Sequence, residues 1–181
     1  MRLFTAIEIP AAIRLRLSAL LDRLRPLAKL SWSPPDHLHV TTKFIGEWPE
    51  ARLEELNRML AAVPFPGPIE IAVRGLGWFP NDRNPRVFWA GIEAGAELRT
   101  LAQATEHSLA ALGVPVEDRE FHPHLTLARR RNPVPIEGLR KELAEIPTSD
   151  FGCFRAEAFF LHLSKAGKYI KLNEFPLLSK L

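Results

Sequence analysis

The strongest constraint on this chain is that it repeats itself. Shifting the 181-residue sequence by 85 positions places Ile7-Glu8 on Ile92-Glu93, Ala11 on Ala96 and Arg14 on Arg99. The same shift places His37, His39 and Thr41 on His122, His124 and Thr126. Hydrophobic spacing and turn residues predict the same order of elements on both sides of the shift. In the first copy these are a strand over 2–8, a helix over 11–24 stopped by Pro26, and a loop at 32–36. A strand over 37–45, a helix over 49–62 and a strand over 69–78 complete it. After a loop at 80–85, the second copy has a strand over 87–92, a helix over 96–112 and a strand over 122–128. A helix over 136–146 follows, and strands over 151–163 and 169–174 close the chain as a hairpin around Lys165-Ala166-Gly167-Lys168. Such a duplication predicts an α+β fold of two similar lobes, each an antiparallel sheet with helices, related by a pseudo-twofold about a central cleft. In this reading residues 1–181 are one domain. Its lobes are the repeats at about 1–80 and 86–163, with a closing strand at 168–175. Clefts between lobes are common ligand sites.

Composition narrows the class. A chain of this length buries roughly 70% of its unfolded surface and needs no disulfide or metal to hold a core. It is too short for an eightfold βα barrel. Cys153 is the only cysteine, so no internal disulfide and no Cys-based zinc site can form. That usage suits a reducing cytoplasm. No apolar run is long enough to span a membrane. Glu8 arrives too early for a signal-peptide core, so the N-terminus reads as a first strand. The net charge is only +3, but the 24 basic residues are 17 Arg and 7 Lys. Arginine grips phosphate with two donors, which leans towards anionic ligands.

The chemistry is concentrated in His37-Leu38-His39-Val40-Thr41-Thr42 and His122-Pro123-His124-Leu125-Thr126-Leu127. Residues i, i+2 and i+4 of a strand share a face. His37, His39 and Thr41 are therefore expected to point one way, as are His122, His124 and Thr126. Lys43, at i+2 from Thr41, is expected to extend that face, and Thr42 to point away from it. Two imidazoles facing one substrate can work as a base and an acid, because their pKa lies near the working pH. Attack on phosphorus needs that pair, with donors for the phosphoryl oxygens, and a threonine hydroxyl beside each histidine supplies one. A cyclic phosphodiester fits: it is anionic, strained, and holds its leaving oxygen close.

The paired His-x-Thr-x motifs resemble those of the 2H phosphoesterase superfamily. Trp32 with Pro34-Pro35, the run His37 to Gly46, Arg86 to Gly91, and Phe121 to Arg129 narrow the resemblance. It is to the RNA 2′,3′-cyclic phosphodiesterase family, also called 2′–5′ RNA ligase or LigT-like, and it extends from Met1 to Tyr169. The resemblance implies a bilobal fold and hydrolysis of RNA 2′,3′-cyclic phosphate ends, or small cyclic nucleotides, to a 2′-phosphate. It implies no metal and no cofactor. By motif position it implies His39 as proton donor to the leaving oxygen and His124 as the base that activates water. Thr41 and Thr126 hold the phosphoryl oxygens, and Arg129 adds positive charge at the substrate. Reversible 2′–5′ RNA joining comes with the family. The two histidines are symmetric in the sequence, so the donor and acceptor labels rest on the resemblance alone.

Other readings stand beside this one. His-x-His on a strand is also a metal-ligand spacing, but the carboxylates nearby, Asp36, Glu117, Asp118 and Glu120, fall in loops. A non-catalytic RNA- or nucleotide-binding module would suit the basic pI. His107 on a helix and His162 on a late strand read as structural. Trp32, Trp78 and Trp89 could stack on bases, although Trp89, inside a strand, reads as core. Tyr169, beside the closing turn, lies where it could reach a nucleotide. Lys43 and Arg129 are the substrate-binding candidates, while Arg130 and Arg131 read as a solvated turn. A monomer is the expected state.

Overall fold

The computed structural model describes residues 1–65, 67–146 and 149–177. Its elements, in chain order, are β1 (Arg2–Glu8), α1 (Ala11–Leu24), β2 (Ser31–Trp32), β3 (His39–Glu47) and α2 (Leu53–Ala61). They continue with β4 (Ile69–Phe79), β5 (Val87–Ala94), α3 (Ala96–Ala110), β6 (His124–Arg129) and α4 (Glu137–Ala144). The last three are β7 (Asp150–Ala156), β8 (Ala158–Lys165) and β9 (Lys168–Pro176). Two antiparallel sheets result, ordered β3-β1-β8-β9 and β2-β6-β5-β4-β7. The two longest helices, α1 and α3, each bury an apolar stripe. In α1 the stripe is Ile13, Leu17, Leu21 and Leu24, and each such side chain contributes about 1.5–3 kcal/mol on burial. Among the described residues no helix is long and apolar enough to cross a membrane.

The 85-residue shift carries β1 onto β5, β3 onto β6, α1 onto α3 and α2 onto α4. It also carries β4 onto β8, and here the structure departs from one repeat per lobe. β4 belongs to the first repeat, yet it pairs with β5 and β7 of the second sheet. β8 belongs to the second repeat, yet it pairs with β1 of the first sheet. The helices cross over too: α1 packs on β7 and α3 on β3. Each lobe is thus assembled from both repeats. The cause is local. β4 and β5 are consecutive and joined by a short loop, and sequential strands usually pair with each other.

A second difference is that 151–163 is not one strand. Thirteen residues would extend about 43 Å, longer than either sheet needs. The chain breaks at Glu157, where β7 leaves the second sheet and β8 enters the first. The two sheets are stitched near the cleft by β2, which follows the first helix yet pairs with β6. The Ser33 N–H donates to the Leu127 carbonyl at 2.9 Å and its hydroxyl to the Thr126 carbonyl at 2.7 Å.

Candidate active site

Pairing in each His-rich segment begins at the second histidine, not the first. His39 is the first residue of β3 and His124 the first of β6. His37 closes a 3-10 turn over Pro35–His37, and His122 precedes its strand. The first histidines therefore do not share a strand face with the second ones. They contribute their backbone. His39 Nδ1–H donates to the His37 carbonyl at 2.6 Å, and His124 Nδ1–H donates to the His122 carbonyl at 2.7 Å. A proton held on Nδ1 leaves Nε2 of each ring to take or give the second proton. The same bond is built twice, once in each repeat.

Each imidazole also has an aromatic wall. Phe4 stacks on His39, centroids 4.8 Å apart, and Phe79 meets His124 edge-on at 4.9 Å. Burial is the main cause of the histidines' electrostatics. It pushes the His39 pKa down to about 4, and the nearby His162, His37 and His124 rings lower it further against the pull of the His37 carbonyl. Burial likewise lowers His124, with Arg129 and His122 acting the same way and the His122 carbonyl opposing. β3 and β6, which these two histidines open, lie in contact, and the charge of His124 is felt at His39. Thr41 and Thr126, two residues along each strand, are partly exposed on the same face.

Beyond the threonines, both strands carry a β-bulge at equivalent positions. β1 pairs Thr5 with Lys43 and Ala6 with Thr41, leaving Thr42 over. β5 pairs Phe88 with Ala128 and Trp89 with Thr126, leaving Leu127 over. One extra residue reverses the inward–outward alternation. This corrects the expectation for Lys43. Its side chain turns to the helix-covered face, where it is 5% exposed. Its Nζ donates to Glu106 Oε1 at 2.7 Å and to the Pro115 carbonyl at 2.7 Å. Thr42 points away from His39 as expected, and shares a buried hydrogen bond with Thr5 at 2.8 Å. The same reversal carries Arg129 onto the face of Thr126, where a regular strand would hide it. Arg130 folds back onto the Val134 carbonyl instead.

Several residues of this face escaped the sequence reading. Trp89 is not core: it is the cross-strand partner of Thr126, and its ring lies over Gly77, where any Cβ would overlap the indole. Trp89 is the 85-residue counterpart of Phe4, and that pairing was the available signal. Trp78 is buried against Phe88, and Trp32 donates to the Ala28 carbonyl. His162 stands on the cleft face of β8, stacked on Phe4 at 5.2 Å, with Glu8 at 3.8 Å. It is buried, and neither ring nitrogen has a hydrogen-bond partner among the described residues. Tyr169 packs on His37 at 4.6 Å and on His39 at 5.2 Å. His107 lies on the exposed side of α3. Among the described residues no three His, Cys, Asp or Glu side chains are gathered as a metal site requires.

Comparison with known proteins finds relatives along nearly the whole chain. The family model described as LigT like Phosphoesterase matches residues 7–89 and 92–169. An RNA 2′,3′-cyclic phosphodiesterase of Thermus thermophilus is 38% identical, the match covering 98% of this chain and 90% of that protein. One of Archaeoglobus fulgidus is 35% identical over 80% of this chain and 82% of its own. Among solved structures, TT0787 of Thermus thermophilus superposes with a TM-score of 0.79 at 33% identity, covering 98% of each chain. LigT of E. coli complexed with 3′-AMP superposes with a TM-score of 0.77 at 25% identity, covering 97% of each.

Proposed function

The chain belongs to the LigT-like phosphoesterase family, and on that premise we propose that it hydrolyses the 2′,3′-cyclic phosphate of RNA ends, and of small cyclic nucleotides, to the 2′-phosphomonoester. The observation that carries this reading is the repeated histidine lock. Two imidazoles, each fixed through Nδ1 to a carbonyl two residues upstream, offer Nε2 to one cleft.

The steps follow from those atoms. Nε2 of His124 takes a proton from water as its oxygen attacks phosphorus. The bond from phosphorus to O3′ breaks, and Nε2 of His39 gives its proton to O3′. Thr41 and Thr126 donate hydrogen bonds to the non-bridging oxygens, and Arg129 supplies positive charge where negative charge builds. Each proton transfer is worth about 10²- to 10⁴-fold. A 5′-hydroxyl of a second RNA in place of water gives 2′–5′ joining through the same atoms. The single Cys153 suits a cytoplasmic setting.

The depressed histidine pKa values set the pH dependence. The acid must carry its proton and the base must not. His39 loses its proton near pH 4 in the free protein, and His124 below its ordinary 6.5. Above both values the donor-competent fraction falls about tenfold per pH unit. Measured on a 2′,3′-cyclic mononucleotide, kcat/KM is expected to peak below pH 6.5 and to decline towards pH 8. A profile that rises to pH 8 contradicts the assignment.

A further inference from the structure

The bulge that hides Lys43 has a second effect: it delivers Phe44 to the catalytic face. Phe44 is the cross-strand partner of Phe4, with ring centroids 6.1 Å apart, and Phe4 in turn stacks on His39. Yet Phe44 is 60% exposed. β3 is an edge strand, where proteins normally place charges to discourage association, so a bare phenyl ring there is a costly choice. Tyr169, 40% exposed, meets Phe4 edge-on at 5.0 Å. Phe4, itself buried, links the two, so a row of packed rings leads from His39 to the exposed Phe44. In the other repeat, the position equivalent to Phe44 is Arg129. One wall of the cleft carries an aromatic ring and the opposite wall a cation, each one bulge beyond its threonine. That combination of stacking surface and positive charge is how single-stranded nucleic acid is held without sequence readout.

We propose that Phe44 stacks on a nucleobase of the RNA leading up to the cyclic end, making a subsite that favours cyclic-ended oligonucleotides over the cyclic mononucleotide. This rests on the phosphodiesterase reading above and extends it. A cyclic mononucleotide spans the histidines and threonines but offers no second base, whereas an RNA end brings one to the outer ring.

The test compares kcat/KM on a 2′,3′-cyclic mononucleotide with kcat/KM on a six-residue oligoribonucleotide ending in that nucleotide. The enzymes are the wild type, Phe44→Ala and Phe44→Trp. Phe44 contributes little to the core, so the thermal midpoints are expected to agree. The oligonucleotide-to-mononucleotide ratio is expected to fall about tenfold or more in Phe44→Ala, the scale of one lost stack. Phe44→Trp should keep it. A ratio within twofold of wild type in Phe44→Ala overturns the subsite while leaving the phosphodiesterase intact. A wild-type dimer dissolved by Phe44→Ala, with the ratio unmoved, also overturns it and assigns the ring to a second copy. Failure of the wild type to turn over either substrate overturns the phosphodiesterase reading and this one together.

Discussion

Replacing His39 or His124 with alanine is expected to lower kcat on a 2′,3′-cyclic nucleotide by about 10²- to 10⁴-fold in each case. Each imidazole is asked to move one proton in the same displacement, so the losses should not add. The double variant is expected to be little worse than the poorer single one, as for groups that act as a unit. Both variants should fold. The rings are largely withdrawn from water and make one hydrogen bond each, to a backbone carbonyl. Removing a desolvated imidazole with a lowered pKa costs the native state little. The control is His107→Ala, on the exposed side of α3, which should leave kcat unchanged. Retention of more than a tenth of wild-type kcat in both cleft variants would rule out paired proton transfer by these two rings.

Lys43→Met is expected to separate stability from activity in the opposite direction. The ammonium is sealed between β3 and α3, bonded to Glu106 and to the Pro115 carbonyl. Glu106 Oε1 also accepts the Glu117 N–H at 2.7 Å, so this one carboxylate ties together the strand, the helix and the loop after it. Methionine fills the volume but strands the carboxylate and the carbonyl. Breaking a buried pair from one side costs roughly 3–5 kcal/mol, and Glu106, with 22% of its side chain exposed, recovers part of that by hydration. A loss of about 2–4 kcal/mol in denaturant titration is expected. The folded fraction should keep kcat and KM within about threefold, because the side chain points away from the cleft. A raised KM at unchanged stability would instead mean that Lys43 contacts substrate.

The contrast between Lys43 and Arg129 shows what a sequence can and cannot say about such a site. His39, Thr41, His124 and Thr126 were legible because the repeat displays each pair at strand spacing, and two residues is too short a reach for an irregularity to intervene. Beyond the threonines a bulge enters at Thr42 and Leu127. Neither position is a glycine, and nothing local distinguishes it from a regular strand residue. Alternation then assigns Lys43 to the wrong face, while Arg129 is found only through family resemblance. Trp89 misled for another reason. A large apolar residue inside a strand looks the same whether its face is covered by a helix or left partly open. The element order was legible, but the exchange of β4 and β8 between lobes was not. Partner choice among similar strands is set by which loops are short and which faces are already covered, and periodicity carries neither. The split at Glu157 is of the same kind, since both halves are good strand sequence.

The identity of the product formed without metal tests the two-histidine mechanism most directly. Wild-type protein incubated with a 2′,3′-cyclic mononucleotide in excess EDTA should release the 2′-phosphate, resolved from the 3′-phosphate by chromatography, at the same rate as without chelator. That result requires the O3′ bond to break and the histidines to do the work that a metal would do. Abolition of turnover by EDTA, restored on adding a divalent cation, would contradict the two-histidine mechanism. A 3′-phosphate product would reverse the leaving group and contradict the assignment of His39 as donor to O3′.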